Sequence, residues 1–518
     1  MKHHQQDCRR AYDQAIEGLN DTPDSLILQH KAVLALARAG SLDLAQAEYL
    51  RYGLADNTDN EDVMALGGRL LKDAYLASAP ADRNELAAKS AEAYRRAYQA
   101  TGGYYSGINA ATMTLLAGRG EGEVASLADA VLKQLPASAD LSDEESYYVD
   151  ATRSEAFLLL GDKQRSVDAL NLAWKHDPLN YTAHASTLGQ LRQICLARGI
   201  DHVWLQAYAP PKSIHFSGHR FSIGPSTNAG VSLSEAEQDA LRASISDTIQ
   251  KNDIGFGFGS LAAGSEILIA EALIEEGAEL HVVLPVDAAQ FCDADVAPFG
   301  DQWVDRFKAC LSTANSISIV SESAGWPHRE LGRHAGKVAM GNALQQAHYL
   351  SARPSQLLII NDGLEDSFTH MHARNWEVTG HPAVKLPLPV PINVANGAHV
   401  QSNDAELKIL LAGSEIQAIQ AFASVTEAAQ AAAEMRAKSD DAITICLYAG
   451  FESGPQDGRL IAMISRAFAG DVIVSDQFAC LLAVEAETNF KTSYIGRIDP
   501  SNSDSPLIYS LRTDHERQ

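Results

Sequence analysis

The residues best suited to do chemistry sit in one stretch, Asp253 to Pro285, which reads DIGFGFGSLAAGSEILIAEALIEEGAELHVVLP. Gly255, Gly257, Gly259 and Gly264 crowd its turn, and Ser260, Ser265 and Glu266 follow or flank them. Glycines let backbone approach a ligand, and a helix start offers unpaired N–H groups with a partial positive charge. The expected chemistry is therefore anion binding. The N–H groups of Ser260, Leu261, Ala262, Ala263, Gly264 and Ser265 would hold phosphate, with hydroxyl donors from Ser260 and Ser265. Arg220 would pair with phosphate through two parallel hydrogen bonds. Glu266 would accept from a ribose or an amine, and Asp362-Gly363 would meet a sugar or base. The turn matches neither GxGxxG nor GxxxxGK[ST], since no Lys lies near Gly264.

Each of these residues also has a plainer role. Glu266 suits a first-turn acid that complements the helix dipole. Arg220 suits a surface ion pair, and His219 a satisfied turn histidine. Glu271 lies five residues beyond Glu266, about 140° round a helix, so the two do not form an acid/base couple. The candidate ligand set is Ser217, Gly218, His219, Arg220, Gly259, Ser260, Leu261, Ala262, Ala263, Gly264, Ser265, Glu266, Asp362 and Gly363. No catalytic residue, metal ligand or fixed cofactor is assigned; the expected ligand is of nucleotide type.

The elements that must position this set come next. Ile254 to Phe258 is a short apolar strand. Ser265 is expected to cap a helix whose apolar stripe runs through Ile267, Leu268, Ala270, Leu273 and Ile274 until Gly277. Leu280 to Leu284 is a second strand, which completes a βαβ unit. Around it the sequence predicts a strand at Ser213 to Phe216 and a helix at Leu233 to Gln250, opened by Ser234 and Glu237 as a capping box. A helix at Trp303 to Thr313, a strand at Ile317 to Val320 and a helix at Arg329 to Tyr349 follow. Gln356 to Ile360 is a strand, and Pro382 to Leu386 an edge strand framed by prolines. Such alternation makes a doubly wound, mainly parallel sheet, whose ligands sit outside the carboxyl ends of the strands.

Residues 8 to about 200 carry helical period and almost no strand signal. Helix pairs are expected at Leu26–Leu36 with Leu42–Leu54, Val63–Leu76 with Glu85–Tyr98, Tyr104–Leu116 with Glu123–Leu135, and Ser146–Leu160 with Gln164–Trp174. Gly107 and Asn109 read as a helix-start turn, with Tyr104, Tyr105 and Met113 in the core. The Gly-Asp break at 161–162 and Pro178 suit tetratricopeptide-type hairpins, which stack into a solenoid that binds peptide or protein. Pro387 to Gly397 is a Pro/Gly-rich linker. Beyond it, strand and helix alternate: Leu407–Leu411, helix Ile416–Ala437, Ala442–Tyr448, helix Arg459–Ala469, Asp471–Ser475, helix Asp476–Val484, Tyr494–Arg497 and Leu507–Leu511. The fold class is thus multidomain: a helical TPR-like solenoid over 1–205, a Rossmann-like α/β domain over 210–390, and a small α+β domain over 400–518.

The 518 residues carry 66 acidic against 41 basic side chains, a formal charge of −25. An acidic chain offers no counter-charge to nucleic acid or to an anionic membrane, so neither is an expected partner. Six scattered cysteines without CxxC spacing suit a reduced, cytoplasmic protein. The start MKHHQQDCRRAYDQ has no apolar segment of a signal peptide, and no run of about eighteen apolar residues occurs.

Three resemblances attach to these regions. GGRLLKDAYLAS (67–78) and AEAYRRAYQATGGYYSGINAATMTLLAG (91–118) resemble the TRAF-binding, TPR-like region of mitogen-activated kinase kinase kinases, which implies a regulatory scaffold. SGHRF (217–221), the 257–285 stretch, FCDADV (291–296), WVDRF (303–307) and NDG (361–363) resemble the SLOG group of Rossmann-like domains. That group holds the Lonely-guy phosphoribohydrolases, and it implies a nucleotide or nucleotide-derived signal bound at Gly259 to Glu266. Relatives often carry G-A-D where this chain has Gly264-Ser265-Glu266, and the PGGxGTxxE motif of the hydrolases is not intact. The run 465–497 with PLIYSLR (506–512) resembles the end of class III nucleotide cyclase domains. Leu411-Ala412-Gly413-Ser414 stands where a metal-binding Asp is expected, and Ala462 stands where Asn is expected four residues before Arg466. The resemblance therefore implies an inactive cyclase fold used for pairing. Together they describe a bacterial-type cytoplasmic signalling protein. It senses a nucleotide-type ligand, binds a protein partner or itself through helical repeats, and forms a homo-oligomer. The alternatives are an N-glycosidic hydrolase and a pure scaffold.

Overall fold

The structure is a computed structural model that describes residues 8–137, 141–223, 231–321, 329–361, 367–388, 407–414, 419–438, 443–451, 457–485, 489–499, 502 and 505–513. It divides into two compact units. One contains His4–Pro210, Phe468–Asp471 and Ser493–Gln518; the other contains Pro211–Ala467 and Val472–Thr492.

The first unit is built on helices α1 Cys8–Asp21, α2 Leu26–Ala39, α3 Leu42–Arg51, α4 Glu61–Ala77, α5 Arg83–Thr101, α6 Tyr104–Leu116, α7 Glu121–Gln134, α8 Asp143–Leu159, α9 Lys163–His176 and α10 Tyr181–Arg198. The four expected hairpins are α2–α3, α4–α5, α6–α7 and α8–α9. Gly40 (φ 84°) ends α2 in the left-handed conformation, and Gly161 (φ 81°) lies in the turn after α8. Small residues let the helices touch. A Cβ on Gly68 would lie 2.7 Å from the Tyr94 ring, and one on Gly107 would lie 2.6 Å from Val131. Gly107 and Asn109 lie inside α6, which starts at Tyr104 after Gly103, so no turn breaks the chain there. Met113 is buried, but Tyr105 is 43 % exposed and is not a core residue.

Between these helices runs a line of buried polar contacts. Lys72 Nζ of α4 donates to Asn109 Oδ1 of α6 at 2.9 Å, and Gln190 Nε2 of α10 donates to the same oxygen at 3.4 Å. Thr112 Oγ1 of α6 donates to Glu155 Oε1 of α8 at 2.6 Å. Burial lowers the Lys72 pKa and raises those of Glu155 and Asp73.

The second unit carries a six-stranded, wholly parallel sheet in the order β6-β5-β4-β1-β7-β8. Its strands are β1 Lys212–Gly218, β4 Ile254–Gly259, β5 Glu279–Leu284, β6 Ser316–Ile319, β7 Pro354–Ile360 and β8 Ala383–Pro387; a short parallel pair, β2 Ser222–Ile223 and β3 Ser232–Leu233, lies between β1 and β4 in the chain. The crossovers are α11 Glu235–Lys251, α12 Ser265–Glu275, α13 Ala288–Asp295, α14 Asp301–Thr313, α15 Arg329–Leu350 and α16 Phe368–Val378. Ser234 and Glu237 form the expected capping box at α11. Apolar side chains such as Phe216, Phe221, Leu268 and Trp303 fill the core, with the Phe221 and Trp303 rings edge to face at 5.5 Å.

The chain winds outward from β1 through β4, β5 and β6, then returns to the other side of β1 with β7 and β8. The carboxyl ends of β1 and β7 therefore mark the topological switch point, where doubly wound sheets hold their ligands.

The same unit continues with β9 Leu407–Gly413, β10 Gln420–Phe422, α17 Val425–Lys438, β11 Ile445–Phe451, α18 Asp457–Arg466, β12 Val472–Ser475 and α19 Asp476–Val484. Strand β9 pairs antiparallel with β10 and β11, and β11 pairs parallel with β12. The sequence puts a helix from Ile416; instead Gln420–Phe422 pairs with Leu411 to Ile409, and α17 starts only at Val425, where Glu427 N donates to Ser424 Oγ at 3.2 Å. Helix α19 packs tightly on α15: a Cβ on Gly341 would lie 2.2 Å from the Cys480 carbonyl oxygen, and His334 Nε2 lies 2.8 Å from Gln477 Oε1.

The last strands are β13 Phe490–Arg497 and β14 Leu507–Thr513. Within the helical unit, Phe468 meets Tyr12 edge to face at 5.0 Å, and the Arg9 guanidinium stands 4.5 Å over the Phe468 ring. Ser41 Oγ donates to Asp471 Oδ2 at 2.6 Å. Arg512 Nη2 donates to Ala39 O at 3.3 Å.

Candidate functional site

Strands β1 and β4 lie side by side, with His215 opposite Phe258, so both run out at the same edge. Beyond β1 come His219 and Arg220; beyond β4 come Ser260 to Gly264 and then α12. Arg220 and Gly264 form an isolated antiparallel bridge. Strand β7 ends beside β1, where His219 N donates to Ile359 O at 3.1 Å. The fold thus gathers Ser217 to Arg220, Gly259 to Glu266 and Asn361. Asp362 and Gly363, also expected here, lie outside the described residues.

The glycines of the turn serve packing. A Cβ on Gly218 would lie 2.3 Å from Ser265 Cβ, one on Gly259 would lie 2.6 Å from Phe216 O, and one on Gly264 would lie 2.6 Å from the Phe221 ring. Gly264 also has φ 94°, which side chains rarely adopt. Protein atoms fill the space that a ligand would need beside these three glycines.

Several expected phosphate donors are committed elsewhere. Ala262 N donates to Glu266 Oε2 at 2.9 Å, Ala263 N to Asp295 O at 3.0 Å, and Ser265 N to His219 O at 3.3 Å. Ser265 Oγ also donates to His219 O at 2.7 Å. Ser265 is the first residue of α12 and not its cap; Gly264 takes that position. Arg220 pairs with Asp295 and stands 5.5 Å over the Phe299 ring, and its side chain is 41 % exposed.

Glu266 is buried. Besides Ala262 N it accepts from Ser217 Oγ at 3.1 Å, and His372 Nδ1 of α16 lies 3.0 Å from that same hydroxyl. Burial pushes the Glu266 carboxyl up to about 7, against the hydrogen bonds from Ala262 and Ser217. Glu266 therefore does more than complement a helix dipole; it ties the 259–264 turn to β1 and is poised to exchange a proton near neutral pH. Glu271 is occupied separately: Arg306 Nε donates to its Oε1 at 2.7 Å.

Several buried histidines lie in the same unit, and one of them, His372, reaches the Ser217 hydroxyl that bonds Glu266. Burial pushes His219 and His372 down to about 4, with His370 adding to the effect on His219. Burial also holds His215 well below its ordinary value, and Gln356 Nε2 lies 3.0 Å from its Nδ1. All three rings are thus neutral at pH 7. Two buried atoms at the strand ends, Ser260 Oγ and His219 Nε2, find no hydrogen-bond partner among the described residues. Buried polar atoms are normally satisfied by protein groups or by water.

Sequence reasoning missed His215, Asp295, Gln356, His370 and His372. The only local signal was HMH at 370–372, on a helix that lacks a clear apolar stripe. Among the described residues no three His, Cys, Asp or Glu side chains converge as a metal site, and no helix is long and apolar enough to cross a membrane.

The comparisons bear on the helical unit. A model of the family described as Tetratricopeptide Repeats-Sensor matches residues 6–114, from α1 to within α6. The first helices are therefore similar to tetratricopeptide repeats, whose general business is protein interaction or sensing. No curated protein matches the chain.

Proposed function

We propose that the chain is a signalling protein whose α/β unit senses a nucleotide or nucleotide-derived ligand at the carboxyl ends of β1, β4 and β7. Ser260 Oγ and His219 Nε2, each buried and without a hydrogen-bond partner among the described residues, are the observation that carries this reading. Ser260 supplies a hydroxyl to phosphate or ribose, and neutral His219 supplies an acceptor. Arg220, half-exposed beside Phe299, leaves Asp295 to pair with phosphate. Glu266 holds the turn in shape and takes or gives a proton as the ligand displaces its partners. The helical repeats bind a protein partner or a second copy. The SLOG-like identity of 210–390 and the inactive cyclase-like identity of 400–518 complete the proposal.

Ligand binding stabilises one arrangement of the site by no more than its differential affinity for the two states. A thermal-shift screen of the full chain against mononucleotides, cyclic mono- and dinucleotides and adenine dinucleotides tests the reading, because binding to the native state raises the melting temperature by mass action. Ser260→Ala removes a hydroxyl that bonds nothing described, so it leaves the unliganded melting temperature in place while the ligand-induced shift falls. A nucleotide shift of full size in Ser260→Ala, or no shift with any compound, sinks the sensor.

A second reading has one observation in its favour. A carboxyl with pKa of about 7 is matched to acid–base work at neutral pH. If the stabilising nucleotide is recovered as free base and sugar phosphate, and Glu266→Gln prevents this, the unit is an N-glycosidic hydrolase.

A further inference from the structure

The helical unit contains a cavity of about 130 Å³ that belongs to no site described so far. Its walls are His30 and Leu34 of α2, Asp62, Ala65 and Arg69 of α4, and Tyr105 of α6. A closed cavity of about 150 Å³ accepts a molecule the size of benzene, so this one takes a small ligand or the head of a larger one. Tyr105, 43 % exposed at the rim, leaves the way to solvent open.

The wall chemistry is specific. Arg69 Nε is buried and makes no hydrogen bond among the described residues. Its ion-pair contact with Asp73 is long, 3.5 Å, so Asp73 does not saturate the guanidinium. An anion in the cavity gives the Arg69 Nε–H the hydrogen-bond acceptor it lacks among the described residues. Burial holds His30 below its ordinary value, so it offers a neutral ring. Asp62 is the one acidic wall. It disfavours a bare anion and favours one that also carries a hydroxyl or amine to donate to it.

We propose that this cavity binds a small organic molecule with one anionic head, phosphate or carboxylate, held by Arg69, and with a hydroxyl or amine facing Asp62. The site is distinct from the α/β site and lies wholly between helices α2, α4 and α6. Repeats of this kind then read a small molecule as well as a protein, and the ligand bridges the first two hairpins to the third.

Isothermal titration of the full chain with glycerol phosphate and, separately, glycerate tests the proposal with one hydroxylated skeleton and two heads. At least one binds. If only glycerol phosphate binds, the natural ligand is an organic phosphate; if only glycerate, a hydroxy acid; if both, the site reads charge alone. Arg69→Gln weakens binding by tenfold or more. Ala65→Leu, which fills the cavity without touching an ion pair, abolishes it, and this variant decides the matter if Arg69→Gln fails to fold. Ser260→Ala leaves it unchanged, which separates this site from the one in the α/β unit. Binding of neither compound, or undiminished binding to Ala65→Leu, overturns the proposal.

Discussion

The two units differ in where most of their glycines and buried ionisable groups are placed. In the helical unit, the glycines at 53, 102, 118, 161 and 199 take positive φ at helix ends or turns, and a Cβ there would meet nothing within 4 Å. In the α/β unit, Gly218, Gly257, Gly259 and Gly264 sit where protein atoms already occupy the Cβ position. The buried ionisable groups differ as well. The helical unit buries Lys72, Asp73 and Glu155 along its polar line, whereas the α/β unit buries His215, His219, His334 and His372 as neutral rings, together with the raised carboxyls of Glu266 and Asp476. A solenoid joins local hairpins, so many of its glycines end helices, while Gly68 and Gly107 let neighbouring helices touch. A parallel sheet brings distant segments together at one edge, so its glycines make room.

This contrast predicts different responses, the largest in pH. His219, His334 and His372 have folded values of about 4 against an ordinary 6.5. Between those values the unfolded chain binds more protons, so stability rises with pH and is lost as pH falls from 6.5 to 4, by several kcal/mol in total. Glu266 runs the other way. Its folded value of about 7 exceeds the ordinary 4.5, so its contribution is present at low pH and declines as pH rises from 4.5 to 7. Asp73 and Glu155, raised by burial, act in that same direction in the helical unit, partly offset by His30 and His184, which burial lowers. Limited proteolysis between pH 6.5 and 4 should therefore open the α/β unit first; simultaneous cleavage of both units would remove the distinction.

Gly264→Val comes next. It combines φ 94° with a collision on Phe221, and urea unfolding should show a loss of about 4 kcal/mol. Lys72→Met removes the donor to Asn109 while Gln190 still reaches that oxygen, so the expected loss is about 2 kcal/mol. Gly161→Ala is the smallest change. Open space surrounds it, and only the left-handed backbone is penalised, by about 1 kcal/mol in the same measurement. An equal loss at Gly161 and Gly264 would show that conformation alone, and not packing, separates the two units.

Much of the architecture was legible in the sequence. The helix pairs, the βαβ unit and the capping box at Ser234 each rest on local period and local side-chain bonding, which neighbours in sequence determine. The purpose of the turn was less legible. Glycines that admit a phosphate and glycines that admit Phe216 or Phe221 look alike until the long-range packing is known. The amides of Ala262 and Ala263 looked available because their acceptors, Glu266 and the Asp295 carbonyl, are chosen by the fold. Helix α16 went unread because Thr369, His370, His372 and Asn375 blur its apolar stripe, and with it went the histidine that reaches Ser217. Strand β10 is only Gln420–Phe422 and exists through pairing with β9, which no local pattern announces.

Amide hydrogen exchange across the full chain, with and without the nucleotide that most raises the melting temperature, tests the sensing role proposed for the α/β unit most directly. Slowed exchange at residues 217–220 and 259–266, with the helices from 61 to 116 unchanged, is the predicted result. Unchanged exchange at those two segments, or slowing confined to the helices, would contradict it.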